Sequence, residues 1–182
     1  MDYLCGSKII VTTRSLKVTF VTSSIHPYEL KGLPFEDCLT FFTKWAFNNE
    51  DERQNPNLIR IGKEIVQKCK GVPLAVRTLG SLLFLKTDES YWMSIRDSEI
   101  QMLEQSENDI LPVLKLSYNH LPSHLQQCLA FLSLYKKDEI YYSDQVIYLW
   151  MANGLLEHPK QKQDWKEVGD QYLNELMSRC LI

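Results

Sequence analysis

A mainly α-helical chain is predicted, opened by a short strand of the kind found in parallel α/β sheets and closed by a winged-helix or helix-turn-helix subdomain. Three observations predict it. From Pro34 onward, apolar side chains recur at helical spacings of three and four. The opening instead holds KIIVTT at residues 8–13, a β-branched run without polar alternation, which suits a strand covered on both faces. In the last third, two short helical patterns and a longer one follow each other across tight turns.

The run at 8–13 is punctuated by Gly6 and Ser7 before it and by Arg14 and Ser15 after it. A second β-rich run, 18–22, and a third, 28–33 (YELKGL), follow. One or two strands do not make a stable sheet. Their partners are therefore expected before Met1 or in another chain. From Pro34, the residues Cys38, Leu39, Phe42, Trp45 and Ala46 form one apolar helical face. The polar segment 48–57 (NNEDERQNPN) reads as an exposed loop. Leu58, Ile61, Ile65, Val66 and Cys69 make the next amphipathic stripe, and Gly71 fits its C-terminal stop. Pro73 opens a mostly apolar helix to about Leu85, since proline is tolerated in a first turn. Gly80 within it points to close packing.

Residues 87–105 read as a more polar bridge carrying Trp92. Asp109 is the expected N-cap of a helix over 110–118, with Pro112 in its first turn and Leu121-Pro122 as its end. A helix over 123–134 would bury Leu125, Cys128, Leu129 and Leu132. Ser143 is the expected cap of the next, whose face is Val146, Ile147, Trp150 and Met151 and which Asn153-Gly154 closes. A last helix, 165–180, uses Val168, Tyr172, Leu173, Leu176 and Met177.

The 182 residues are 45% apolar and 24% charged, which excludes a wholly disordered chain. Twenty Lys+Arg stand against 23 Asp+Glu, a net charge of -3, so no basic excess drives binding to a phosphate backbone. The five cysteines form no CxxC pair, and an odd, scattered set reads as buried free thiols in a reducing compartment. No apolar stretch approaches the ~20 residues of a membrane span, and the opening is not a signal peptide. A cytosolic protein is expected.

Catalytic motifs are absent from the sequence. No GxxxxGK[ST] phosphate loop occurs, and no apolar strand ends in the acidic pair that would hold Mg²⁺. His120 and His124 stand four apart, but Pro122 between them makes that spacing a turn rather than a metal-binding helical face. No serine or cysteine nucleophile has a His–Asp constellation beside it.

Five blocks, in order, carry a family likeness: GSKIIVTTRS (6–15), YELKGLPFEDCLTFFTKWAF (28–47), GVPLAVRTLGSLL (71–83), LKLSYNHLPSHLQQCLAFLSLYKKDE (114–139) and VIYLWMANGLL (146–156). Together they resemble the C-terminal part of the NB-ARC region of plant nucleotide-binding leucine-rich-repeat disease resistance proteins of the coiled-coil type. The resemblance implies three parts: residues 1–30 as the end of a nucleotide-binding α/β domain, a remnant of its parallel sheet; 31–108 as the helical ARC1 bundle; and 109–182 as the winged-helix ARC2 domain. At 18–22 the family usually has a short helix, where composition favours a strand.

Arg14 matches the arginine that the family places near the nucleotide's terminal phosphate, a task for which a guanidinium fork is suited. Thr12 and Thr13 precede it in the same run. Pro73 matches the proline of the family's GLPL motif, which packs near the adenine, with Gly71 and Leu74 supporting that turn. The chain departs from the pattern at Leu132, where a second cysteine is common, and at Lys136, where proline is usual. On this resemblance the phosphate loop and Mg²⁺-binding aspartates would precede Met1, the Met-His-Asp motif would follow Ile182, and the leucine-rich repeats are missing.

The implied function is a fragment of an ADP/ATP-dependent switch in plant defence. ADP or ATP, with Mg²⁺ in the intact protein, is the implied ligand, bound weakly or not at all by this chain alone, and no enzymatic activity is expected of it. Two other readings stand beside it. One is a winged-helix nucleic-acid binder, disfavoured because residues 143–182 carry four Lys/Arg against six Asp/Glu. The other is an interaction module that self-associates or joins full-length relatives, the orphan strand seeking an edge.

Overall fold

In a computed structural model of the chain, residues 10–13, 17–18, 27–47, 55–98, 110–136, 140–159 and 163–182 are described. Two compact units divide the chain, Met1–Lys31 and Gly32–Ile182.

The first unit corrects the strand expectations. Residues 10–13 and 27–31 have no regular structure, and Lys17 and Val18 are helical. Ile10 is 90% exposed and Tyr28 88%. The physical reason is the one that limits any lone strand: a β-rich run becomes a strand only against a hydrogen-bonding partner and a covering face, and the described residues of this unit supply neither. The sheet remnant is thus not visible, and Lys17 and Val18 follow the family's short helix rather than the composition. Residues 8, 9 and 19–22 lie outside the described set.

Eight helices can be followed from end to end in the second unit: α1 Phe35–Ala46, α2 Pro56–Lys68, α3 Pro73–Leu83, α4 Glu89–Asp97, α5 Leu111–Asn119, α6 Ser123–Leu132, α7 Ser143–Ala152 and α8 Trp165–Ser178. They form around two apolar clusters. The first joins α1–α5 through Phe42, Ile61, Ile65, Leu79, Leu83, Trp92, Ile95 and Val113, all at most 1% exposed. The second joins α6–α8 through Leu125, Cys128, Ile147, Trp150, Val168 and Leu176. The observed architecture, a helical bundle followed by a helical C-terminal subdomain, is the mainly α class expected.

The seam between α1 and α3 depends on Gly80. A Cβ there would stand 2.8 Å from Cβ of Trp45 and 3.3 Å from the Phe42 carbonyl oxygen. Only a residue without a side chain lets the two backbones come this close.

Residues 87–105 are not simply a polar bridge. The Asp88 side chain accepts from the Ser90 amide at 3.1 Å and caps α4. Trp92 is fully buried, edge-on to Phe42 with centroids 6.0 Å apart, and its Nε1–H donates to the Lys86 carbonyl at 2.6 Å. Two buried residues in nine, Trp92 and Ile95, give too short a pattern for periodicity to reveal a helix. Ser143 is the first residue of α7 rather than its cap, with Tyr142 at the cap position. Asp109 lies outside the described residues. On α8, Asp164 and Glu167 form a capping box. Met151 and Met177, expected on core faces, are 39% and 54% exposed, so the apolar stripes of α7 and α8 are narrower than the sequence implied.

Candidate functional site

The turn from α2 into α3 carries three of the six residues singled out from the sequence. Lys70 (φ 49°) and Gly71 (φ 79°) both adopt the left-handed conformation, which ends α2 and reverses the chain. The segment before α1 closes over this turn. The Leu33 amide donates to the Gly71 carbonyl at 2.8 Å. A Cβ on Gly71 would stand 2.7 Å from the Leu33 carbonyl oxygen, and one on Gly32 would stand 3.0 Å from the carbonyl oxygens of Lys70 and Gly71. Two glycines therefore face each other across a contact that no side chain could enter. Burial holds the flanking thiols protonated: that of Cys69 is pushed up to about 12, and that of Cys38, close enough to Leu33 for a weak S–H···O contact at 3.7 Å, is also raised.

From this anchored turn Val72 runs extended into α3, with Pro73 in the first turn. Proline brings no N–H, no side chain caps the helix, and the first-turn amides of Leu74 and Ala75 have no acceptor within the helix. Pro73 and Leu74 are exposed, Leu74 at 41%. The result is an apolar lip beside the positive end of a helix dipole, held rigidly by Gly71 and the Leu33 hydrogen bond.

Thr12 and Thr13 lie exposed in the first unit, and Arg14 lies outside the described residues. His120 and His124 stand on either side of the break between α5 and α6. The His120 ring Nδ1 is 2.9 Å from the Leu116 carbonyl, and the His124 ring stacks on Tyr172 at 4.8 Å. Among the described residues no group of three or more His, Cys, Asp or Glu could hold a metal ion. Cys38, Cys69 and Cys128 are buried free thiols, and Cys180 is partly buried. No helix among the described residues is long and apolar enough to cross a membrane. Sequence reasoning missed the Gly32–Leu33 clasp; the only signal for it was a glycine three residues before the start of α1.

Comparison with known proteins gives this turn its setting. Residues 134–182 match the winged helix domain of disease resistance proteins. Over 177 residues, 97% of this chain, identity is 46% with the disease resistance protein RGA4 and 44% with RGA2, both of Solanum bulbocastanum. The chain is related to plant disease resistance proteins. Disease resistance protein RPP13 of Arabidopsis thaliana is 31% identical over 179 residues, again 97% of this chain. The chain spans about a fifth of the length of these relatives, 18% for RGA4 and RGA2 and 21% for RPP13. The resemblance read from the five blocks is thereby borne out. A winged-helix domain in the C-terminal part is likewise supported, and the matched residues 134–182 contain α7 and α8.

Proposed function

We propose that this chain is a part of an ADP/ATP-dependent switch in plant defence, and that the turn 71–74 is its contact with the adenine of the nucleotide. The observation that carries the reading is the rigid presentation of Pro73 and Leu74. Gly71, in a conformation suited to glycine and clasped by Leu33, fixes an exposed apolar lip beside uncapped helix amides. A flat aromatic base packs against such a lip, and the relation to plant disease resistance proteins supports the defence role. Arg14, with Thr12 and Thr13, would face the terminal phosphate. A ligand that touches two parts of a protein differently in two arrangements shifts the balance between them, which is what makes a switch.

Alone, this chain holds only part of such a cage. A phosphate loop contributes a helix N-terminus and a lysine, which supply most of the anion contacts in nucleotide sites; no GxxxxGK[ST] phosphate loop occurs in this sequence. Weak nucleotide binding and no hydrolysis follow.

Photolabelling with azido-adenosine diphosphate at millimolar concentration tests this. Trypsin cuts after Lys70 and Arg77, so the turn is recovered as the peptide GVPLAVR. The expected label lies on that peptide, is displaced by excess ADP, and is lost in Pro73→Ala. Label elsewhere, or label that ADP does not displace, removes the adenine contact. Calorimetry gives the second arm: a Kd below about 10 µM, roughly -7 kcal/mol, would show a complete site in the isolated chain and overturn the partial-cage reading.

A further inference from the structure

The described arginines divide sharply. Arg60 pairs with Glu64 at 3.2 Å, Arg96 with Glu64 at 2.9 Å and Asp97 at 2.7 Å, and Arg179 with Glu175 at 2.8 Å. Arg77 has no carboxylate partner among the described residues. Instead its guanidinium lies over the Trp45 ring, 4.5 Å from the centroid, at the seam between α1 and α3. Trp45 is itself braced edge-on by Phe41, with centroids 6.3 Å apart.

Buried polar atoms without a hydrogen-bond partner gather at the same seam. Of six such atoms among the described residues, four belong to α1 and α3: Nε1 of Trp45, Nε of Arg77, Oγ1 of Thr78 and Oγ of Ser81. Arg77 and Ser81, four residues apart, share one side of α3. Leu85, just past the helix end, is 64% exposed.

We propose that Arg77, held over the Trp45 ring, anchors a carboxylate carried on an apolar segment of a partner protein. The Trp45 face and the burial of Nε restrict the guanidinium, and its Nη atoms are not among the buried unpartnered atoms, so its terminal fork suits bidentate pairing. Pre-organisation removes part of the ordering entropy that a free arginine loses on binding. Its neighbours are aromatic, Trp45 beneath it and Phe41 against Trp45, and tryptophan with arginine is the pairing enriched where interfaces concentrate their energy. One guanidinium balances one carboxylate; a phosphate, with its larger charge, calls for more cation than this seam provides. This surface does not depend on the nucleotide reading.

The test uses the full chain and a panel of amphipathic 12-residue peptides, each with one glutamate on an apolar face. The readouts are the indole N–H resonance of Trp45 and calorimetry. Binding that moves the Trp45 resonance and weakens at least ~10-fold when the peptide glutamate becomes glutamine is expected, the equivalent of one charge-assisted pair at 1.4 kcal/mol per decade. Arg77→Gln should abolish it, and Arg77→Lys, which keeps the charge without the planar fork, should weaken it. Thermal unfolding of both variants establishes that they fold. Equal affinity for the glutamine peptides, retained binding in Arg77→Gln, or no response of Trp45 to any peptide overturns the proposal. So would preference for a phosphoserine peptide, or a concentration-dependent dimer that Arg77→Gln dissolves, since either assigns the seam a different occupant.

Discussion

Gly71→Ala probes the clasp that holds the candidate site. At φ 79° an alanine takes on left-handed strain of roughly 1–2 kcal/mol. Its Cβ would also lie 2.7 Å from the Leu33 carbonyl oxygen, a backbone atom that moves only if the segment before α1 moves. Such overpacking costs about 1–3 kcal/mol, and the displacement forfeits the 2.8 Å Leu33–Gly71 hydrogen bond, about 1 kcal/mol. The stiffer unfolded chain returns roughly 0.4–1 kcal/mol. A net loss of about 2–6 kcal/mol results. Gly154→Ala is the control, because Gly154 has a similar φ, 67°, but nothing within 4 Å of an added Cβ. It carries the strain without the collision, a net loss of about 1 kcal/mol or less. In urea unfolding followed by circular dichroism, with a slope of about 2 kcal/mol/M, the two midpoints should differ by about 1–2 M. Equal losses for the two variants would refute the clasp, and with it the claim that the lip is rigid.

Three further outcomes are expected. Trp92→Ala, which empties the fully buried centre of the first cluster and orphans the Lys86 carbonyl, should cost about 3–5 kcal/mol in the same urea experiment. The Cys69 thiol ordinarily ionises near 9.0 and is held up to about 12; between those values the folded chain keeps a proton that the unfolded chain has lost, so stability falls as pH rises from 9 to 12, and the slope should flatten in Cys69→Ala. In a gel shift with duplex DNA at about 0.15 M salt no complex should form, because Lys166 of α8 is paired with Asp144 at 2.9 Å and that helix also bears Glu167, Asp170 and Glu175.

Periodicity located most of the helices because each of their apolar stripes was long enough to repeat: Leu58, Ile61, Ile65 and Val66 occupy successive turns of α2, and all are buried. It overlooked α4, where only Trp92 and Ile95 are buried. It overread 10–13 and 28–33, because a strand-favouring composition records a preference for packing and not a partner. At the candidate site the same distinction holds. Gly71 and Pro73 were legible because their chemistry is local: a left-handed turn and a missing N–H at a helix start. The Leu33 clasp and the stacked Arg77 were not, since they join residues 38 and 32 apart in the chain and leave no trace in local spacing.

The two clusters of the second unit meet through a thin joint. α5 contributes Val113 and Leu116 to the first cluster, while Tyr118, one turn on, packs against the second. Beyond this shared helix, Arg179 at the end of α8 donates to the His120 carbonyl at 3.3 Å, and the His120 ring meets Tyr91 of α4 edge-on at 5.9 Å. A hydrogen bond and an aromatic contact are each worth about 1 kcal/mol, whereas emptying one Trp92-sized site costs several. The clusters themselves are therefore far harder to disrupt than the contacts that join them. On the switch reading, a nucleotide held by the turn at 71–74 would act at this weak point. A differential affinity of about 5.5 kcal/mol inverts a 1:99 equilibrium, and a joint of a few kcal/mol lies within that reach while two packed cores do not.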